Sequence, residues 1–143
     1  MKIIFLDVDG VLINRAACRA GFGKVDPVCI AVLNKLLADS GAFIVVSSCW
    51  RMGKTVLELR DLFNDWGVTP GRILDRTGRS NDVRGVEIQE WLDQREKHRG
   101  DVESFVIVDD DSDMAHLLHR HVKTSMATGL TEEHAELVKK LFA

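Results

Sequence analysis

Two aspartates one residue apart, Asp7 and Asp9, follow the apolar run IIFL and precede Gly10. Buried strands rarely end in paired negative charge, because crowded carboxylates lose hydration and repel one another. Alternate spacing along an extended chain points both side chains the same way, so both reach one ligand. Gly10 then permits a sharp turn that a side chain would obstruct. One carboxylate of such a pair can attack phosphorus while the other gives and later removes a proton. Charge placed there needs a neutralising partner.

Two later runs supply candidates. Ser47, Ser48 and Arg51 follow the β-branched stretch AFIVV, and Asp109, Asp110, Asp111 and Asp113 follow FVIV. Any one of these acids has a simpler use as a helix cap or loop residue. Gathered at one rim, six aspartates demand a cation. Oxygen donors with no histidine or cysteine among them suit Mg²⁺, and magnesium held by carboxylates commonly serves a phosphate. A hydroxyl and a basic side chain nearby would hold the phosphoryl oxygens as charge redistributes.

Convergence of these groups depends on the elements that carry them, and strand and helix patterns alternate along the chain. Residues 2–6 read as a buried strand. Asp26 and Pro27 open a helix that Gly41 stops. AFIVVSS is a second strand, and VLELRDLFNDW a helix with Leu59, Leu62, Phe63 and Trp66 on one face. Residues 68–82 are turn-rich, with a short strand at 72–74. Residues 83–98 read as a helix with Val86, Ile88, Trp91 and Leu92 inward. ESFVIVDDD is the third strong strand, followed by a short helix at 114–120 and a short strand at 121–125. Thr131 caps a last helix. Continuous apolar strands alternating with helices predict an α/β fold, a parallel sheet covered on both faces. Ligands of such sheets sit beyond the carboxyl ends of the strands, where the polar residues named above fall.

The bulk properties narrow the class. At 143 residues and 45% hydrophobic, the chain reads as one domain over residues 1–143. A net charge of −3 with 29% charged residues does not describe a chain that coats nucleic acid non-specifically or lies on an acidic membrane. No stretch has the length of a membrane span, and Asp7 and Asp9 interrupt the N-terminal apolar run too early for a signal peptide. Cys18, Cys29 and Cys49 are odd in number and widely spaced. They predict free thiols in a reducing, cytoplasmic setting.

DVDGV after the first strand, VVSS after the second and VIVDDDSD late in the chain resemble motifs I, II and IV of the haloacid dehalogenase (HAD) superfamily. More narrowly, SSCWR, RGVEIQEWL, VIVDDDSDM and GLTEE look like the HAD domains of Swiss Army Knife RNA repair proteins. The resemblance implies a three-layer, Rossmann-like α/β/α sandwich with a mostly parallel five-stranded sheet. It also implies a Mg²⁺-dependent phosphatase that forms an aspartyl-phosphate. Asp7 would be the nucleophile and Asp9 the general acid and base. Ser47, with Ser48 beside it, would bind the phosphoryl group. Asp110 would ligate Mg²⁺ with Asp7 and the main-chain carbonyl of Asp9, with Asp109 as rival or supporting partner. Asp113 would either orient a water at the metal or act as an N-terminal helix charge. Arg84 fits the basic residue of motif III best, with Arg79 in reserve. Arg51 is placed either to touch substrate or to pair with a nearby carboxylate.

Neither gap between motifs has room for a substantial cap domain, so the rim is open to large substrates. Nucleic-acid ends and nucleotides are candidates. Arg72, Arg76, Arg79, Arg84, Arg95, Lys97 and Arg99 make the middle of the chain its most basic part, as a shared groove or as solvated helix faces. Two other readings share the acidic rim. A receiver-like phospho-acceptor module would carry an aspartate after a later strand where this chain has Ser47 and Ser48. A catalytically idle HAD fold used for binding has no reason to retain repelling carboxylates.

Overall fold

The computed structural model describes residues 1–79, 83–98 and 100–143. In chain order its elements are β1 (Lys2–Leu6), α1 (Arg15–Ala20), α2 (Pro27–Ser40), β2 (Phe43–Val46), α3 (Val56–Asp65), β3 (Ile73–Arg76), α4 (Arg84–His98), β4 (Ser104–Asp109), β5 (His121–Lys123) and α5 (Glu132–Phe142). Single 3-10 segments lie at Cys49–Arg51 and Ala115–Arg120. Residues 80–82 of the turn-rich stretch, and Arg99, lie outside the described residues.

All five strands run parallel in the order β3-β2-β1-β4-β5. The central strand is β1, and Ile3–Leu6 are fully buried there, which explains its unbroken apolar sequence. Alternate residues supply two cores. Ile4, Leu6, Ile44, Val46, Val106 and Val108 pack against α2, α3 and α5, through Leu33, Leu37, Leu59, Phe63 and Val138. Ile3, Phe5, Val45 and Ile107 face the other way, onto Ile88 and Trp91 of α4 and onto Met114 and Leu117. The result is the three-layer α/β/α arrangement read from the sequence, with a sheet that is wholly parallel. Between β1 and β2 lie α1 and α2, and between β2 and α4 lie the 3-10 turn at Cys49–Arg51, α3 and β3, with no cap module among the described residues.

The chain climbs from β1 through β2 to β3 on one side, then returns to place β4 on the other. Strand order therefore reverses between β1 and β4, where open α/β sheets bind ligands. Register aligns the strand ends there. Leu6 pairs with both Val46 and Val108, Asp7 N donates to Val108 O at 3.0 Å, and Ser47 N donates to Leu6 O at 3.0 Å. Three strands thus deliver Asp7, Ser47 and Asp109 side by side.

The helices start where local chemistry says they should. Asp26 accepts from Val28 N ahead of Pro27, and Gly41 closes α2 in the left-handed conformation. Thr55 and Glu58 form a capping box on α3. Helix α1 was not anticipated: it is six residues long and buries only Ala17, so it carries no apolar period to read. Its N-cap is Asn14, whose side chain accepts from Ala17 N. No described helix is long and apolar enough to cross a membrane.

Candidate functional site

Asp7, Asp109 and Asp110 each present a carboxylate oxygen, and these oxygens lie within 4.8 Å of one another. Asp7 and Asp109 are buried, and Asp110 is half-buried. Gly10 is what lets Asp110 in. A Cβ on Gly10 would stand 2.2 Å from Asp110 Oδ2, and its φ of +81° suits glycine alone. Thr124 Oγ1 donates to Gly10 O at 2.7 Å and pins that turn. The extended geometry of β1 ends at Leu6, so the period-two expectation for Asp7 and Asp9 does not carry past it: Val8 is buried and the Asp9 side chain is exposed at the rim.

Arg84, the first residue of α4, completes the cluster. Its Nη1 donates to Asp109 Oδ2 at 2.5 Å and stands 3.4 Å from Asp7 Oδ2. The N-terminus of α4 is fixed from the β4 side, where Asp113 Oδ2 accepts from Arg84 N and Asp113 O accepts from Gly85 N. Gly85 allows that approach, because a Cβ there would meet Met114 O at 2.1 Å. Asp113 thus sits at a helix N-terminus, the simpler of its two anticipated uses, and its Oδ1 is buried without a hydrogen-bond partner among the described residues. Arg79 is exposed in the stretch before α4.

Asp109 and Asp110 divide their work. The Asp109 carboxylate is consumed by protein, with Oδ2 on Arg84 and Oδ1 accepting from Asp111 N at 2.9 Å. Asp110 is the less buried acid and lies against the Gly10 turn. Burial first, then the charge of Asp109, pushes the Asp7 carboxyl up to about 8. Burial raises Asp110 as well, and its hydrogen bond with Asp7 works the other way. Burial opposes the charge of Arg84, but Asp109 and Asp7 outweigh it and hold the guanidinium protonated.

Ser47 and Ser48 are both fully buried at the end of β2. Ser48 Oγ caps the 3-10 turn by accepting from Trp50 N at 3.2 Å, so its hydroxyl is spent locally. Ser47 Oγ is buried with no hydrogen-bond partner among the described residues. Unpaired buried hydroxyls are costly, and this one stands at the end of β2, beside the end of β1 that carries Asp7. Arg51 departs from the substrate-touching role. It is 3% exposed, and its five N–H groups meet five acceptors: Thr77 O, Ser47 O, Ser48 O, Gly78 O and Glu87 Oε1. Glu87, three residues after Arg84 on the same side of α4, is the partner that the sequence did not single out. Through it Arg51 ties the Ser47 loop to the helix bearing Arg84.

Two arginines of the chain's basic middle lie away from this rim. Arg72 donates to Ala42 O and lies over Phe43, before β2. Arg95 pairs with Asp101, ahead of β4. Both mark the amino ends of the strands, the rim opposite the acids. Arg99 lies outside the described residues. A cavity of about 570 Å³ lies beside β3 and α4, lined in part by Thr55, Asp75, Glu87 and Arg95. All three cysteines are free.

The oxygen-only donor set, the burial and crowding that raise Asp7 and the unpaired Ser47 hydroxyl fit a hard divalent cation beside a phosphoryl group. A family model described as the HAD domain in Swiss Army Knife RNA repair proteins matches residues 3–135. No curated protein and no solved structure matches the chain.

Proposed function

The chain belongs to the HAD domains of Swiss Army Knife RNA repair proteins, and from that premise we propose that it is a Mg²⁺-dependent phosphomonoesterase working through an aspartyl-phosphate. One observation carries the reading: three carboxylates from β1 and β4 converge within 4.8 Å at the strand-order reversal, with Arg84 against two of them. Asp7, Asp110 and the main-chain carbonyl of Asp9 would hold the cation, with Asp109 behind them anchoring Arg84. When bound, the cation neutralises charge on the phosphoryl oxygens and on Asp7.

The chain's own groups perform the transfer. A free Asp7 oxygen attacks phosphorus, an Asp7 O–P bond forms, and the ester P–O bond breaks. Asp9, exposed at the rim, gives its proton to the departing alcohol. It then takes a proton from water as that water attacks phosphorus, which breaks the Asp7 O–P bond and frees inorganic phosphate. Ser47 Oγ donates to a phosphoryl oxygen, and Arg84 keeps Asp7 oriented and its charge balanced. The open rim and the RNA-repair family name favour nucleic-acid ends or nucleotides over small metabolites. The three free thiols suit a cytoplasmic setting.

Phosphate release from p-nitrophenyl phosphate, phosphorylated oligonucleotides and nucleotides tests the reading. Turnover should require Mg²⁺ and vanish with chelator. No release from any of these substrates, with magnesium in excess, counts against it.

Ser47→Ala separates catalysis from folding. With no hydrogen bond to lose among the described residues, the variant should unfold within about 1 kcal/mol of the parent, on the stable side. Its kcat/KM should fall about 10²- to 10³-fold, as for loss of one donor to a developing oxyanion. A destabilised variant with full activity would show that the hydroxyl serves the fold.

A further inference from the structure

Phe22 is 98% exposed, the most exposed of the large apolar side chains, and it is not isolated. Its ring stacks on Trp50 with centroids 6.0 Å apart and planes 26° from parallel. Trp50 is anchored from beneath, edge-on to Trp66 at 5.4 Å, which in turn packs on the core residue Phe63. Lys54 Nζ lies 5.7 Å from the Trp50 ring centroid. One aromatic shelf therefore runs from the core outward and ends in a phenyl ring whose far side meets only solvent.

The shelf stands next to the acidic site. Trp50 follows Cys49, whose Sγ is 4.0 Å from Arg84 Nη2, and Trp50 N is tied to Ser48. Phe22 comes from the connection between β1 and α2, so it too rises from the carboxyl end of the sheet. Fully exposing a phenyl ring forfeits the burial that normally justifies an aromatic residue. A flat π-face beside a phosphate site, with an ammonium at hand, matches a nucleobase joined through its sugar to the reacting phosphate.

We propose that Phe22 and Trp50 form a stacking platform for the base of a nucleotide whose phosphate enters the Asp7–Ser47 site. The occupant is a nucleotidyl phosphate ester, either free or at the end of an oligonucleotide, and Lys54 faces the next phosphate in the second case. This rests on the phosphatase reading above and adds to it a choice of substrate: base-bearing esters over base-free ones.

The test is the ratio of kcat/KM for a nucleoside monophosphate to that for ribose phosphate, measured in parent, Phe22→Ala and Phe22→Tyr. The parent should prefer the nucleotide, Phe22→Ala should lower the ratio about tenfold, as for loss of one base stack, and Phe22→Tyr should restore it. The fall should appear mainly in KM. 5′- and 3′-phosphorylated oligonucleotides run in parallel distinguish the two sources. With these oligonucleotides, Lys54→Ala should weaken binding further if the chain continues past the terminal base. Equilibrium binding of the same nucleotides to Asp7→Asn in Mg²⁺ keeps the platform testable apart from turnover. If turnover fails but binding depends on Phe22, the phosphatase reading falls and the platform stands. If the ratio and the binding are indifferent to Phe22, the platform is overturned; a changed sedimentation coefficient in Phe22→Ala would then assign the shelf to contact between copies of this chain.

Discussion

Asp7→Asn should lower phosphate release by at least about a thousandfold, the scale of losing a covalent nucleophile, and yet raise the melting temperature of the metal-free protein. The second effect follows from the burial of the acid. Asp7 is buried beside Asp109, and those two influences, burial the larger, lift its pKa to about 8. An unfolded aspartate titrates near 3.9. The folded state therefore holds a proton that the unfolded state releases as pH rises between about 4 and about 8. Folded stability falls through that window and levels off above it. Asparagine has no proton to lose, so the variant escapes the penalty.

Its advantage over the parent should be negligible near pH 4 and largest at pH 8.5, at roughly 2–4 kcal/mol after discounting for the coupling of the buried acids. In Tm this is about 5–10 °C for a chain of this size. Excess Mg²⁺ should narrow or reverse the difference, because ligand at a hundred times its Kd stabilises the parent by about 2.7 kcal/mol and the variant by less. Scanning calorimetry at pH 4.5, 6.5 and 8.5, with chelator and then with Mg²⁺, reads all of this. Coincident melting at every pH would mean that Asp7 is neither strained nor charged in the way the cluster requires, and that no cation is drawn there.

What the sequence disclosed follows from how each feature is encoded. The central strand, the strands that flank it and the convergence of Asp7, Ser47 and Asp109 are visible because unbroken β-branched runs can only be buried parallel strands, and such sheets bind at their carboxyl ends. Arg84 was picked out by the resemblance to motif III, and the structure sets it, as the first residue of α4, against Asp7 and Asp109. Other features leave no periodic trace. Helix α1 buries one alanine. The neighbours Asp109 and Asp110 are indistinguishable by spacing, and only the buried contact with Arg84 and the Gly10 turn separates them. Arg51 is the instructive case. Its proximity in sequence to Ser47 suggested either contact with substrate or pairing with a nearby carboxylate; the guanidinium takes the second course, on Glu87, and also turns inward to the carbonyls of Thr77 and Gly78 just after β3, a destination that spacing cannot encode.

Arg51 is consequently where a single substitution should do most harm to the fold. Arg51→Met removes all five of its hydrogen bonds at once, leaving the carbonyls of Ser47, Ser48, Thr77 and Gly78 without that donor. Glu87, 6% exposed, would keep a buried charge with its partner gone, and its Oε2 already lacks a hydrogen bond. Breaking a buried ion pair from one side costs about 3–5 kcal/mol, a large share of the roughly 5–15 kcal/mol that holds a domain together. Arg51→Lys should recover little, since one ammonium cannot reproduce a planar fork reaching five acceptors. Arg51→Met combined with Glu87→Leu should recover the charge penalty but not the carbonyls, and so fall between the parent and the single variant. Urea unfolding of the parent and the three variants decides it. The folded fraction of Arg51→Met should also lose kcat/KM, because Ser47 and the helix bearing Arg84 are no longer held to each other. A single variant within about 1 kcal/mol of the parent, or a double variant no better than the single, would show that this network does not hold the site together.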